Sequence, residues 1–295
     1  MSTDHVRKRV LVTGGTGRLG VVVELLLGRG HAVRAMTRDP GSPAAERLRE
    51  AGAELVVADF DDPRSLTAAA RGVDAVFAAG TAHRAGPEGE LRHGRNLADA
   101  MAAAGVHHVV YCSGDGAAAD SPLPLFRVKH QVEERIRALP VASTILAPVY
   151  FMENLFNPWN LPSLRQGMLP SPIPVDVPLQ QVAIVDLASL AALAIEQPEA
   201  FAGKRVTVAS TQVTAAEAAD ALSRVTGRRF DAQQIAAGEL APGLQALFDW
   251  LEHAGHRVDI ATLHDRYAEI EWHSYSAWLR SQRTGRGVPF SLEAV

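Results

Sequence analysis

The strongest constraint on this chain lies in its first thirty residues. Val10-Leu11-Val12 runs directly into Thr13-Gly14-Gly15-Thr16-Gly17-Arg18-Leu19-Gly20, and a stretch of helical period follows over Leu19–Leu27. A β-branched run, a glycine-dense turn and a helix, in that order, open a nucleotide-binding α/β fold. Glycines are needed there for the tight turn, for close backbone approach to a pyrophosphate, and for packing helix on strand. Backbone N–H groups at the start of the helix then face the phosphates, aided by the helix dipole. The candidate cradle is Thr13, Gly14, Gly15, Thr16, Gly17, Arg18, Leu19 and Gly20.

The first 150 residues repeat that alternation. Short apolar runs at Arg9–Val12, His31–Met36, Ala53–Ala58, Ala75–Ala78, Val109–Tyr111 and Ala142–Leu146 read as strands. Helical periods fall at Leu19–Leu27, Ala44–Ala51, Pro63–Ala70, Leu91–Ala103 and Phe126–Ala138. Continuous apolar strands separated by helices predict a doubly wound parallel sheet covered on both faces. Gly30, Gly52, Gly72 and Gly105 stand where left-handed helix ends are wanted. Past Pro148 the pattern changes to a proline-rich segment, Asn157–Pro178, that cannot supply central strands. Helices follow at Val185–Glu196, after Thr214 with a capping box to Glu217, at Pro242–Ala254 and at Ser274–Ser281, with a strand at Arg205–Ala209. We expect a Rossmann-type domain over residues 1–150. Residues 151–295 form a smaller C-terminal α/β substrate lobe packed on it, with some segments returning to the sheet.

Composition removes several classes. The chain has 295 residues, 47% hydrophobic and 21% charged, with net charge −4, which argues against disorder and against direct nucleic-acid binding. Cys112 is the only cysteine, so no disulfide framework or thiolate zinc site is expected, and no metal is expected. No apolar stretch is long enough to span a membrane and no secretory leader is legible, so the expected location is the cytoplasm. Among 29 basic residues only Lys8, Lys129 and Lys204 are lysines, which draws attention to each.

The end of the second strand speaks to the nucleotide. An NAD site usually carries an acid about 20 residues past the glycines, on the ribose hydroxyls. Here the strand ends Met36-Thr37-Arg38-Asp39, with Arg38 in the place of that acid. Arginine suits a 2′-phosphate, so NADP(H) is preferred over NAD. Arg18 supplies a second positive charge or is a solvated helix residue, and Asp39 still has reach to a ribose.

These residues resemble the atypical short-chain dehydrogenase/reductases: Thr13–Gly20, Arg38, the Ala58-Asp59-Phe60 step and Asn96–Gly105. More narrowly, Val141–Asn154 with Pro148 and Phe151-Met152-Glu153-Asn154 is similar to the NmrA-like family, as are Asp186 and Trp278. The resemblance implies an extended Rossmann fold holding NADP(H). It places Asp59 and Phe60 by the adenine, and Ala78, Ala79 and Gly80 along the cofactor beyond the fourth strand, and Thr37 counts among the cofactor-binding residues.

It also implies what is missing. The usual chemistry pairs a Tyr acid with a Lys four residues later, plus a Ser. Lys129 takes the lysine place, but Leu125 stands where the tyrosine would be. Lys129 then either holds a ribose or is a solvated helix residue. Ser113 takes the serine place, or is a turn serine. His83 and Tyr150 are the remaining titratable groups expected near a cleft between the lobes, with surface or core roles as their alternatives. Cys112 is expected packed and unreactive, and His107-His108 reads as solvated loop. Three readings stand. The first is an NADPH-dependent reductase of a quinone, azo or similarly electron-poor small molecule, an acceptor that takes a hydride without a strong protein acid. The second is a non-catalytic NADP(H)-sensing regulator acting through a protein partner. The third is an isomerase or ketone reductase, which the missing tyrosine disfavours. A homodimer is left open.

Overall fold

The computed structural model describes residues 6–235 and 240–284. The amino-terminal alternation is β1 (Arg9–Val12), α1 (Gly20–Gly28), β2 (Ala32–Thr37), α2 (Pro43–Glu50), β3 (Glu54–Val57), α3 (Pro63–Ala70), β4 (Ala75–Ala79), α4 (Ala82–Ala104), β5 (His108–Cys112), α5 (Pro124–Arg137) and β6 (Ala142–Pro148). After β7 (Tyr150–Phe151) and a 3-10 turn over Met152–Phe156 come α6 (Leu161–Arg165), β8 (Met168–Ser171), β9 (Leu179–Val182), α7 (Ile184–Glu196) and α8 (Pro198–Phe201). Then follow β10 (Arg205–Val208), β11 (Thr211–Val213), α9 (Ala215–Thr226), β12 (Asp231–Gln234), α10 (Pro242–His253), α11 (Ile260–Arg266) and α12 (Tyr275–Thr284).

Seven strands form the central sheet in the order β10-β6-β5-β4-β1-β2-β3. β1 pairs in parallel with both β2 and β4, so the strand order reverses between β1 and β4, the switch point at which doubly wound sheets bind nucleotides. The expected Rossmann-type sheet is therefore present. Gly30, Gly52, Gly72 and Gly105 all take positive φ just past their helices. The Thr214–Glu217 capping box forms, with both reciprocal bonds present.

Two readings of the sequence need correction. α4 begins nine residues earlier than its apolar period suggests. Its chain breaks at Gly86 (φ 66°) and resumes at Pro87, a residue suited to a first helical turn. His108 is not solvated loop: it opens β5, is 2% exposed, and bonds Thr144 Oγ1 at 2.8 Å. The proline-rich segment supplies no central strand, but it does hold α6 and β8, and β8 pairs in parallel with β12.

The chain divides into two compact units, residues 1–148 with 187–207, and 149–186 with 208–295. In the first, Leu11, Val76, Leu97, Met101, Tyr111, Val132, Ile136 and Ile145 form a buried cluster between the sheet and α3–α5. In the second, fully buried Trp278 centres a cluster with Met152, Phe156, Leu222 and Tyr275. Burying this much aromatic and aliphatic surface is the main source of each unit's stability.

Polar pins inside the second unit explain its most distinctive letters. Glu153 Oε1 accepts from Trp278 Nε1 and from the Ile184 N–H, both at 3.0 Å. Asp186 Oδ2 accepts from Ser210 Oγ at 2.5 Å and from the His273 N–H at 2.9 Å, while Oδ1 meets His273 Nδ1 at 2.6 Å. Residues far apart in sequence are thereby tied to one place.

Candidate functional site

The carboxyl ends of β1 and β4 are joined by one side chain. Thr13, fully buried, accepts from the Ala79 N–H at 2.8 Å, and its hydroxyl donates to Ala79 O at 3.3 Å. Its hydroxyl is thus engaged by β4. The glycine turn starts from this fixed point. Gly14 has φ 70°, which only glycine adopts at no cost. A Cβ on Gly20 would stand 2.7 Å from Gly15 O, so the turn closes onto the start of α1 as only glycine allows.

The turn fits a dinucleotide pyrophosphate. α1 has Leu19 at its N-cap with no side-chain cap bond, and no acid in its first turn. The N–H groups and positive dipole end of the helix are left for an anion. Gly17 carries no obstruction: a Cβ there would lie 3.4 Å from Gly14 O. Thr16 and Arg18 are half-buried in the same turn.

At the end of β2, Thr37 Oγ1 bonds both the N–H and the carbonyl of Asp39, shaping the turn. Arg38 between them is exposed and has no ion-pair partner among the described residues. After β3, Asp59 accepts from the Asp61 N–H, while the Phe60 ring stacks on His93 with centroids 5.5 Å apart. Phe60 therefore packs on α4, and its carbonyl accepts from Asn96 Nδ2 at 2.8 Å. Ala78 and Ala79 are buried and Gly80 is exposed at the end of β4.

The most consequential residue here was not singled out from the sequence. Glu90 of α4 is 1% exposed and lies directly over Gly80: a Cβ on Gly80 would fall 2.0 Å from Glu90 Oε1. That oxygen accepts from Lys129 Nζ of α5 at 3.2 Å. One turn further along both helices, a Cβ on Gly94 would lie 2.4 Å from Val132. Gly94 shares a face with Glu90 and Val132 with Lys129, so the close helix approach brings the two charges together. Lys129 is therefore not a solvated helix residue. Its stem passes Gly114, 3.6 Å from the place of a Cβ there, and its side chain is 13% exposed. Only the sequence spacing Glu90–Gly94, one turn apart, hints at this pair.

Ser113 is drawn elsewhere. Its buried hydroxyl donates to Glu133 Oε1 at 2.5 Å, and Glu133 also accepts from Arg137 at 2.6 Å and Arg205 at 3.1 Å. Arg205 in turn donates to Gly114 O. Ser113 thus belongs to a buried ionic cluster that ties β5, α5 and β10. Tyr150 lies in the second unit, where its ring faces Phe248 at 6.2 Å within a cluster containing Ile173 and Leu251. The ring is half-buried against that cluster. His83 is in the first turn of α4, and its side chain lies outside the described residues. Cys112 is buried and its thiol is pushed up to about 11, mainly by burial, so it is inert as expected. Among the described residues, no cluster of His, Cys, Asp or Glu is arranged to hold a metal, and no helix is long and apolar enough to cross a membrane.

Comparison with known proteins places the chain among relatives of the same fold. A (4-alkanoyl-5-oxo-2,5-dihydrofuran-3-yl)methyl phosphate reductase of Streptomyces griseus is 31% identical over 243 residues, covering 81% of each chain. An NAD(P)H azoreductase of Xenophilus azovorans is 35% identical over 147 residues, 50% of this chain, and the match spans about half, 49%, of that relative. The structure of a Citrobacter sp. triphenylmethane reductase complexed with NADP(H) superposes with a TM-score of 0.76 at 22% identity, covering 92% of this chain and 99% of that one. At that identity the likeness concerns the fold. The family profile described as NmrA-like matches residues 6–276, so the protein belongs to the NmrA-like family of Rossmann-type NAD(P)-binding oxidoreductases.

Proposed function

We propose that the protein is an NADPH-dependent reductase of a small electron-poor acceptor, of the quinone or azo type. The observation that carries this reading is Lys129. Its ammonium is held by buried Glu90 at the carboxyl edge of β4 and β5, while Leu125 stands where a phenol donor would be. A lysine so placed can hold a ribose diol and donate a proton, but it cannot supply the tyrosine-centred chemistry of ordinary ketone reduction. Acceptors that take electrons readily make the least demand on a protein acid. The two reductase relatives act, by their names, on an azo compound and on an unsaturated dihydrofuranone phosphate, which supports the class.

Toward the cofactor, Gly14, Gly15, Gly17 and the α1 N-terminus would hold the pyrophosphate, and Arg38 the 2′-phosphate. Lys129 would hold the ribose beside the nicotinamide. When bound, reduced nicotinamide supplies two electrons and one hydrogen. Arg38, exposed and without an ion-pair partner among the described residues, supports NADP(H) over NAD(H). We read the site of action as the cytoplasm, where a lone thiol persists reduced.

The test is NADPH consumption against a panel of quinones, azo dyes and carbonyl compounds. Turnover with the first two groups and not the third is expected. Tight NADPH binding without turnover on any of them would replace the reductase by the non-catalytic regulator acting through a protein partner.

A further inference from the structure

The Glu90–Lys129 pair is the inner end of a longer hydrogen-bonded line, contained wholly in the first unit. Glu90 Oε2 accepts from the Thr81 N–H at 2.5 Å and lies 3.4 Å from Thr81 Oγ1. Thr81 Oγ1 is 2.6 Å from His93 Nδ1, and His93 Nε2 is 3.1 Å from Asp61 Oδ1. Asp61 also accepts from Arg92 Nε at 2.8 Å, and its side chain is 58% exposed. The line therefore runs from a solvated carboxylate to one that is 1% exposed and touches Lys129. Glu133 adds its charge nearby, and Tyr111 and Cys112 of β5 are titratable neighbours of the inner end. Both are buried with pKa values raised by burial first and by Glu90 among the other causes, so both stay neutral.

The chemistry of the members suits proton movement better than it suits stability. A buried glutamate with one lysine contact is an expensive way to hold two helices together. The bonds from Arg92 and His93 hold Asp61 below the usual carboxylate range, so it stays ionised and takes the His93 Nε2–H. The stack against Phe60 fixes the imidazole plane, turning Nδ1 to Thr81.

We propose that Asp61, His93, Thr81 and Glu90 form a proton path that recharges Lys129, replacing the phenol-based donor this chain lacks. The inference rests on the reductase reading for its direction. The reduced acceptor carries an anionic oxygen or nitrogen, which takes a proton from Lys129 Nζ. Glu90, a carboxylate at the start, first takes the Thr81 Oγ1 proton while Thr81 takes the Nδ1–H of a His93 imidazolium, and the neutral Glu90 carboxyl then gives its proton to the neutral Nζ. His93 is recharged from solvent, so each bond broken to hydrogen is matched by one formed. Glu90, Thr81 and His93 are positioning residues that act through Lys129.

Thr81→Val is the discriminating variant, since it removes the hydroxyl but keeps the backbone bond to Glu90. With NADPH and 1,4-naphthoquinone as probes, kcat should fall by about tenfold or more, with KM and the NADPH Kd unchanged. Thr81→Ser should restore it. Equal kcat in Thr81→Val and the native protein would overturn the path. The free protein gives a second readout by histidine NMR titration, with His93→Gln to assign the signal. The His93 midpoint should move in Glu90→Gln. An unmoved midpoint would overturn the path. If the native protein turns over no acceptor, the reductase reading fails, and the His93 titration decides the path alone.

Discussion

Glu153 belongs to the Phe-Met-Glu-Asn segment that most narrowly carries the family resemblance, and it is a buried carboxyl. Desolvation, with a smaller contribution from the charge on Asp186, pushes its pKa to about 7 against bonds from Ile184 and Trp278 that lower it. Below about pH 4.5 the group is protonated folded and unfolded, and contributes nothing to pH dependence. Between about pH 4.5 and 7 the unfolded chain ionises while the folded one holds its proton, so stability falls. A gap of about 2.5 pH units at about 1.4 kcal/mol per unit makes that loss about 3 kcal/mol, complete somewhat above pH 7. Glu153→Gln keeps Oε1 for the Trp278 and Ile184 donors. It leaves the Oε2 position, which has no partner among the described residues, unpartnered still. The variant cannot ionise. Urea unfolding, followed by tryptophan fluorescence, should therefore place the two proteins close together near pH 5, and the variant about 3 kcal/mol more stable than the native chain above pH 8. Parallel stability curves across that range would refute the reasoning.

Further predictions rest on single residues. Arg38→Ala should weaken NADP(H) by about 10- to 100-fold, in line with loss of a charge-assisted bond at an exposed site, and leave NAD(H) unchanged in titration calorimetry. Equal losses would remove the 2′-phosphate assignment. Gly17→Ala places a Cβ in contact with Gly14 O at 3.4 Å, so it should keep its melting temperature and weaken nucleotide binding. Gly20→Ala meets Gly15 O and should lose about 1–3 kcal/mol of stability. His108 opposes Glu153. Thr144 Oγ1 donates to Phe201 O, so it accepts from His108 Nε2–H, and protonation would place a charge on the buried, partnerless Nδ1. Its pKa is accordingly lowered to about 4. Stability should rise by about 3 kcal/mol as pH climbs from about 4 to 6.5, and His108→Leu should flatten that rise in acid unfolding curves.

How legible each part was follows from how local its signal is. The first six strands and five helices declare themselves because each apolar run, period and terminal glycine lies within a dozen residues. The second unit is different. β7, β9 and β11 have two to four residues each, and their pairings join Tyr150 and Thr211 to Gln181. A strand that short carries no period of its own. The serine expected to meet substrate shows the same limit, since only folding reveals that Glu133, twenty residues on, takes its hydroxyl.

By itself the amino-acid order determined the Rossmann-type sheet, the glycine-rich turn that opens it, the arginine in place of an acid at the second strand, and a lysine without its tyrosine. Each follows from backbone sterics or from residue type at a short spacing. Tertiary structure alone decided what Lys129 touches. Glu90 lies 39 residues away, on a helix that a glycine at position 94 lets approach, and it meets Lys129 out of reach of water. Long-range charge pairing depends on which surfaces are removed from water together, and that is settled only when the helices pack.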